Sequence, residues 1–290
     1  MANLKEIRTR ITSVESTMQI TSAMKMVSAA KLKRAQDAIT QMRPFAEKFN
    51  EILLNVSSTV ESEGHPLMKK TDGEKVLLIA LSSNRGLCGG FNSVVIKSIK
   101  NIIDKNPDKS YSILTIGKKV YDAFKSSDLI NKHELLPSNT ETIWDNLNYD
   151  NAIKIVDDLI KSFKGDVFDE AYVIYNSFKN AAIQELKVEK FLPVEPNLEA
   201  KETSVDYIFE PEKEEILNDL IPRSLKVQLY KALLDSFASE HGSRMTAMHK
   251  ATDNATEMVK ELTLFYNKAR QAAITNEILE IVAGAEALGG

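Results

Sequence analysis

A single cysteine, Cys88, occurs in 290 residues, so the chain can form neither a disulfide framework nor an internal thiol switch. No stretch of about 18 apolar residues is present, so no helix is expected to span a membrane. The start, MANLKEIRTR, lacks the apolar core of a secretory signal. It is amphipathic and basic like a transit peptide, but Glu6, Glu15 and an unbroken apolar repeat assign it to the mature fold. The four histidines, His65, His133, His241 and His249, show no metal-ligand spacing, and the lone Trp144 is uninformative. These absences leave a reducing, cytoplasmic setting as the natural expectation. With 43% hydrophobic and 27% charged residues, the composition is that of a soluble protein with a real core, in one or two domains.

Two long helical patterns stand at the ends of the sequence. From Leu4, apolar or small residues recur at steps of three and four: Ile7, Ile11, Val14, Met18, Thr21, then Ser28, Leu32, Ala35, Ile39, Met42 and Phe49. A second train runs His241, Met245, Met248, Thr252, Ala255, Val259, Leu262, Tyr266, Ala269, Ala273. Seams of this period over several heptads indicate a coiled coil. One seam at each end predicts antiparallel pairing, a shaft bearing whatever domain lies between. The first helix (residues 1–57) has no strong breaker but Pro44, where a kink or a loosened turn is expected. Between Thr21 and Ala30 its residues are small or polar, with Lys25 on the seam. Small residues let two helices approach closely, and a thin stretch is also what a further contact would need. Residues 1–50 carry nine Lys or Arg against four acids, a net of +5 in a chain of net −4. A basic helix suggests an acidic partner: the other helix, another protein or nucleic acid.

Residues 58–74, with Gly64, Pro66 and Gly73, read as a linker. VLLIALSS (Val76 to Ser83) is a continuous apolar run of strand length, followed by a glycine-rich turn and a helix from about Phe91 to Asp104. Tyr111–Ile116 reads as a strand, Lys118–Phe124 as a helix, Leu129–Leu136 as a candidate third strand and Asp150–Phe163 as a helix. Ala171–Tyr175 and Gln184–Phe191 complete the strands. This alternation predicts a mainly parallel α/β domain over 74–205. The chain then passes Glu210-Pro211 and a short helix, and Pro222 is expected to open the last long helix at its first turn, within a C-terminal segment 212–290.

If Ser57 faces a residue between Glu212 and Pro222, then Asn3 faces one between about 266 and 276. The last 12 to 20 residues then outrun their partner, by the 1.5 Å rise common to both helices. They carry Ile274, Ile278, Ile281, Ala285 and Leu288 on one face. An apolar stripe on an unpaired helix needs a socket in another molecule.

Four segments carry a family resemblance: ITSAMKMVSAAKLKRAQ (Ile20 to Gln36), LSSNRGLCGGFN (Leu81 to Asn92), SRMTAMHKATDNA (Ser243 to Ala255) and FYNKARQAAITNEILEIVAGAEAL (Phe265 to Leu288). The chain resembles the gamma subunit of F-type ATP synthases over nearly its full length. Asn84 stands where that family usually has an acid, a mild departure in a loop read as structural. The resemblance implies a non-catalytic central rotor set in a hexamer of alpha and beta subunits, resting on epsilon and a ring of c subunits. Proton flow would turn ring and rotor, driving the beta sites through states of different nucleotide affinity. It further implies a peripheral place on the cytoplasmic side of a bacterial inner membrane. Carried onto this sequence, Ile274, Ile278, Ile281, Ala285 and Leu288 would turn in an apolar sleeve. Arg270, Gln271, Thr275 and Glu277 would meet loops of the catalytic subunits, with Met24 and Lys25 at a similar height. Lys31, Lys33 and Arg34 would steer or hold acidic loops.

Competing readings are an α/β enzyme with a coiled-coil oligomerisation handle, and a coiled-coil adaptor that binds nucleic acid. The first needs acid, base or nucleophile groups grouped at loop ends, and the sequence offers none. The second is weak because the basic stripe lacks aromatic stacking positions. RGLCGG resembles a phosphate-cradling turn but lacks the glycine spacing and Lys-Ser/Thr pair of a nucleotide loop. No cofactor, metal or nucleic acid is therefore expected, and Cys88 reads as a small packed residue.

Overall fold

The computed structural model describes residues 4–57, 65–68, 73–130, 133–194 and 213–288. Two helices dominate it: α1, Leu4–Ser57, and α5, Lys213–Leu288. Close contacts divide the chain into two units, residues 1–28 with 245–290, and residues 29–244. No described helix is long and apolar enough to cross a membrane.

In the second unit the strands β1 (Lys75–Leu81), β2 (Ser110–Ile116), β3 (Glu170–Phe178) and β4 (Gln184–Leu192) form one sheet in the order β2-β1-β3-β4. β1 is parallel to both β2 and β3, and β4 returns antiparallel to β3. β1 is central, so its side chains alternate between two cores. Leu77, Ile79 and Leu81 join α4 (Tyr149–Lys164) and the early turns of α5, including Leu217, Ile221, Leu225 and Leu229. Val76, Leu78 and Ala80 join α2 (Phe91–Lys105) and α3 (Lys118–Phe124). Burial on both faces is why β1 is apolar without alternation. β4, at the edge of the sheet, does not show the alternation expected of a half-buried strand: Phe191 and Leu192 are buried, while the apolar Leu186 and Val188 are left exposed. The Asn148 side chain caps α4 by accepting the Asn151 N–H at 2.8 Å. Gly117 has φ +117°, and a Cβ there would lie 2.0 Å from the Ser82 carbonyl oxygen, so only glycine can turn the chain from β2 into α3.

The fold class is the one the sequence implies, with three corrections of detail. Leu129–Leu136 is not a strand among the described residues: Ile130 makes only an isolated bridge to Ile113, and Thr140, which opens a short 3-10 turn, bonds the Thr115 carbonyl by its hydroxyl at 2.6 Å. Part of the expected linker is core, because Leu67 and Met68 are buried against the sheet and Val194 N–H bonds the Leu67 carbonyl at 2.8 Å. Pro222 does not open α5 but lies inside it. Leu217, Ile221 and Leu225, buried on both sides of it, hold the helix through the one hydrogen bond that proline removes. Pro44 lies inside α1, as expected of a residue that does not end the helix. The 195–212 passage with Glu210-Pro211, most of the 58–72 stretch and Gly289–Gly290 lie outside the described residues.

Candidate partner interface

In the first unit α1 and α5 pair along their seams. Leu4, Ile7, Ile11, Val14, Met18, Thr21 and Ser28 on α1 are buried or half-buried, as are Met248, Thr252, Ala255, Val259, Leu262, Tyr266, Ala269 and Ala273 on α5. Three polar contacts fix the register. Thr21 and Thr252 share a hydroxyl hydrogen bond of 2.8 Å, Lys25 Nζ lies 3.3 Å from His249 Nδ1, and the Thr256 hydroxyl points at Met18 Sδ at 3.3 Å. The residue numbers of each pair add to 273 or 274, so the helices are antiparallel and Leu4 stands opposite about residue 270. Short side chains at Thr21 and Thr252 permit this approach. Each hydroxyl also lies within reach of a carbonyl of its own helix, so one threonine donates to its own carbonyl while the other donates across the seam.

Beyond that point α5 continues for about 18 residues, roughly 27 Å, without a facing helix. Ala273 is the last half-buried position, and every described side chain from Ile274 to Glu286 is exposed. The apolar ones retain much of their free surface: Ile274 49%, Ile278 55%, Leu279 60%, Ile281 67% and Val282 49%. Ala285 is exposed with them; Leu288 closes the helix, and its side chain lies outside the described residues. The projecting end is apolar off the main stripe as well, where the sequence also places Ala272, Ala273, Val282 and Ala283, and to these the structure adds Leu279. Ile278-Leu279 and Ile281-Val282 are adjacent pairs that break the heptad, and that break was the available signal.

Arg270, Gln271, Thr275 and Glu277 are all exposed where pairing stops, and the Thr275 hydroxyl bonds the Gln271 carbonyl at 2.9 Å. Met24 and Lys25 are half-buried, but they do not share that level. Their register puts them opposite His249, about 21 residues or roughly 31 Å along α5 from Arg270. The same part of α1 bears Ile20, Met26 and Val27, 59%, 65% and 59% exposed, and α5 bears Met258, Leu264 and Phe265 exposed. These apolar residues off the seam were missed from sequence, where they interrupt rather than extend the repeat. The small residues of Thr21–Ala30 therefore serve close pairing on one side and leave a free apolar surface on the other.

In the second unit Lys31, Lys33 and Arg34 are exposed, with Lys33 paired to Asp37 at 2.9 Å. The turn after β1 is not a phosphate cradle. Asn92 accepts the Ser83 N–H at 3.0 Å and donates to Ser83 Oγ and Cys88 Sγ at 2.8 and 3.2 Å, so side chains fill the turn. Asn84 donates to the Glu141 carbonyl at 2.9 Å and accepts the Lys118 N–H at 3.2 Å. A neutral amide does both, which a carboxylate could not. Burial pushes the Cys88 thiol up, the opposite of a reactive thiolate. Among the described residues no group of three His, Cys, Asp or Glu could hold a metal ion.

Comparison with known proteins agrees with this geometry. Residues 3–288 match the family described as ATP synthase. The ATP synthase gamma chain of Flavobacterium johnsoniae is 59% identical over the whole of both chains, and that of a Geobacter species is 45% identical, again over both in full. Among solved structures, one of the Tetrahymena thermophila mitochondrial ATP synthase, central stalk and c-ring, matches at 29% identity with TM-score 0.59, covering 80% of this chain and 99% of that one. A rotor chain of the Euglena gracilis enzyme shares the fold at 18% identity and TM-score 0.64, covering 93% and 98%.

Proposed function

This chain belongs to the ATP synthase gamma-chain family, and from that premise we propose how its paired helices work with their partners. It is the central rotor stalk of an ATP synthase and is not itself catalytic. The residues meeting the alpha and beta subunits are Met24 and Lys25 at one level, and Arg270, Gln271, Thr275 and Glu277 at another. The end bearing Ile274, Ile278, Ile281, Ala285 and Leu288 turns in an apolar sleeve of the hexamer. Epsilon and the c ring take the remaining contacts, and the complex holds the chain at the cytoplasmic side of the inner membrane. The segments 1–57, 74–205 and 212–290 act as its working divisions.

The observation that carries this reading is the unpaired end of α5. Its large aliphatic side chains would stay in water for no internal gain, and only burial in a partner makes that arrangement favourable. The mechanism is a shift of conformational populations. A partner site changes state only if the stalk makes different contacts with its alternative states. The first unit is suited to this because its polar residues sit at two heights and its free apolar surfaces differ between α1 and α5.

Deleting residues 274–290 tests the reading. Five aliphatic side chains with about half their surface left to bury represent about 1 kcal/mol each, or roughly 5 kcal/mol in all. Association and ordering costs reduce what appears as affinity. Assembly with the hexamer should weaken by about 10²–10³-fold, with less proton pumping per ATP hydrolysed. The isolated chain should keep the thermal stability of its pairing helices. Unchanged assembly and pumping would overturn the reading.

A further inference from the structure

Arg244 lies at the end of the second unit, 7% exposed, and its guanidinium serves a stretch of chain about 160 residues away. Nη2 donates to the carbonyls of Arg85 and Gly86 at 3.0 and 3.3 Å, and Nε donates to Gly86 again at 3.3 Å. Nη1 donates to Glu240 Oε1 at 2.6 Å and faces His241 Nδ1 at 3.4 Å. Since a guanidinium only donates, that imidazole nitrogen accepts. Nearly every donor is thus used, in a fork that one ammonium could not reproduce. The next residue in the loop, Leu87, has φ +62° and is 64% exposed. A leucine in left-handed backbone persists only where its surroundings impose it. Following it, Cys88 turns inward and is 2% exposed, sharing Asn92 with Ser83.

We propose that Arg244 is a latch: with Glu240 holding it, the guanidinium fastens the Ser83–Gly90 loop to α5, keeps Leu87 outward in its strained backbone and seals Cys88 inside. Opening the latch lets Leu87 leave the left-handed region and uncovers the thiol without unfolding the sheet. This device lies within one chain and does not rest on the stalk reading.

Cys88 is the only cysteine, so its alkylation by N-ethylmaleimide in the full-length chain reports the latch directly. Arg244→Gln should raise the labelling rate more than tenfold, with a weak dependence on urea below the unfolding transition, as local opening gives. Arg244→Lys should give a smaller rise of about two- to fivefold, since one ammonium can cap a carbonyl but not both. Adding Leu87→Gly to Arg244→Gln should restore slow labelling, because glycine occupies that backbone freely. Wild-type labelling rates in folded Arg244→Gln would overturn the proposal. So would labelling that follows urea as steeply as global unfolding. Should Arg244→Gln fail to fold, Arg244→Lys decides alone, and an unchanged rate in it overturns the proposal equally.

Discussion

Lowering the pH from 7 should destabilise the second unit through His241. That imidazole is 5% exposed on α5, edge-on to Phe237 with ring centroids 4.4 Å apart. Burial, reinforced by the charges of Arg244 and of Lys31 from α1, lowers its pKa from 6.5 to about 3. A histidine whose folded pKa is depressed binds its proton first in the unfolded chain, so stability is complete above about pH 6.5 and falls below it. At pH 5.5 the unfolded state gains about 1.4 kcal/mol from protonation and at pH 4.5 about 2.7 kcal/mol. These figures hold for any folded pKa well below 4.5, so they do not depend on the depth of the depression. Glu240 and Asp235 act in the opposite sense, because burial raises both carboxyls and favours their neutral forms in the folded chain. The assay is therefore a difference: urea unfolding of the wild type and of His241→Gln from pH 7.5 to 4.5, followed by Trp144 fluorescence. The variant should be less stable at neutral pH, and its deficit should shrink by about 1.4 kcal/mol by pH 5.5. A deficit constant across that range would refute the argument.

Gly117→Ala should cost more than about 4 kcal/mol or prevent folding, because both the clash with the Ser82 carbonyl and the positive φ oppose it. Gly284→Ala is its control: nothing lies within 4 Å of that Cβ, and urea unfolding should show no loss, with about 1 kcal/mol gained in helix propensity. Asp235→Ala should cost about 1–3 kcal/mol by the same assay. It strands the buried Ser177 hydroxyl, which donates to Asp235 at 3.1 Å, while Arg43, bonded at 3.4 Å and 45% exposed, can turn to water. A cost above about 5 kcal/mol would mean that the ion pair, not the hydroxyl, dominates. Lys25 and Gln271 substitutions should change protons pumped per ATP hydrolysed; an unchanged pumping ratio would refute their assigned role. Substituting exposed Gln271 should leave thermal unfolding within about 0.5 kcal/mol, and substituting Lys25 should cost no more than about 1 kcal/mol for its seam contact with His249.

The elements most legible in the sequence were those fixed by apolar period. The seams of α1 and α5 are buried where the heptads put them, and the freed end begins within the interval that length alone allowed. β1 stood out because central strands need no polar alternation. What escaped was set by contacts distant in sequence. Pro222 mimics a helix start, and only the packing of Leu217 and Ile221 reveals that α5 begins earlier. Leu129–Leu136 has strand-like composition, yet Thr140 supplies the partner for the Thr115 carbonyl that another strand would have taken. The levels of Lys25 and Arg270 were misjudged because a seam gives the period of each helix and leaves open which turns meet. Glu240, Arg244 and Asp235 carry no distinguishing signal in the sequence, because the loop and strand they bond lie far away along the chain.

The threonine pair of the first unit also bears on which changes of length the chain can accept. Inserting or deleting one residue within either paired stretch would rotate all later seam positions by about 100° and pull Thr21 away from Thr252. Only changes close to whole heptads restore the same facing residues. Past Ala273 no described helix of this chain faces α5, so a change of length there leaves the pairing of Thr21 with Thr252 intact. It alters only how far the apolar end projects and which of its faces a partner meets.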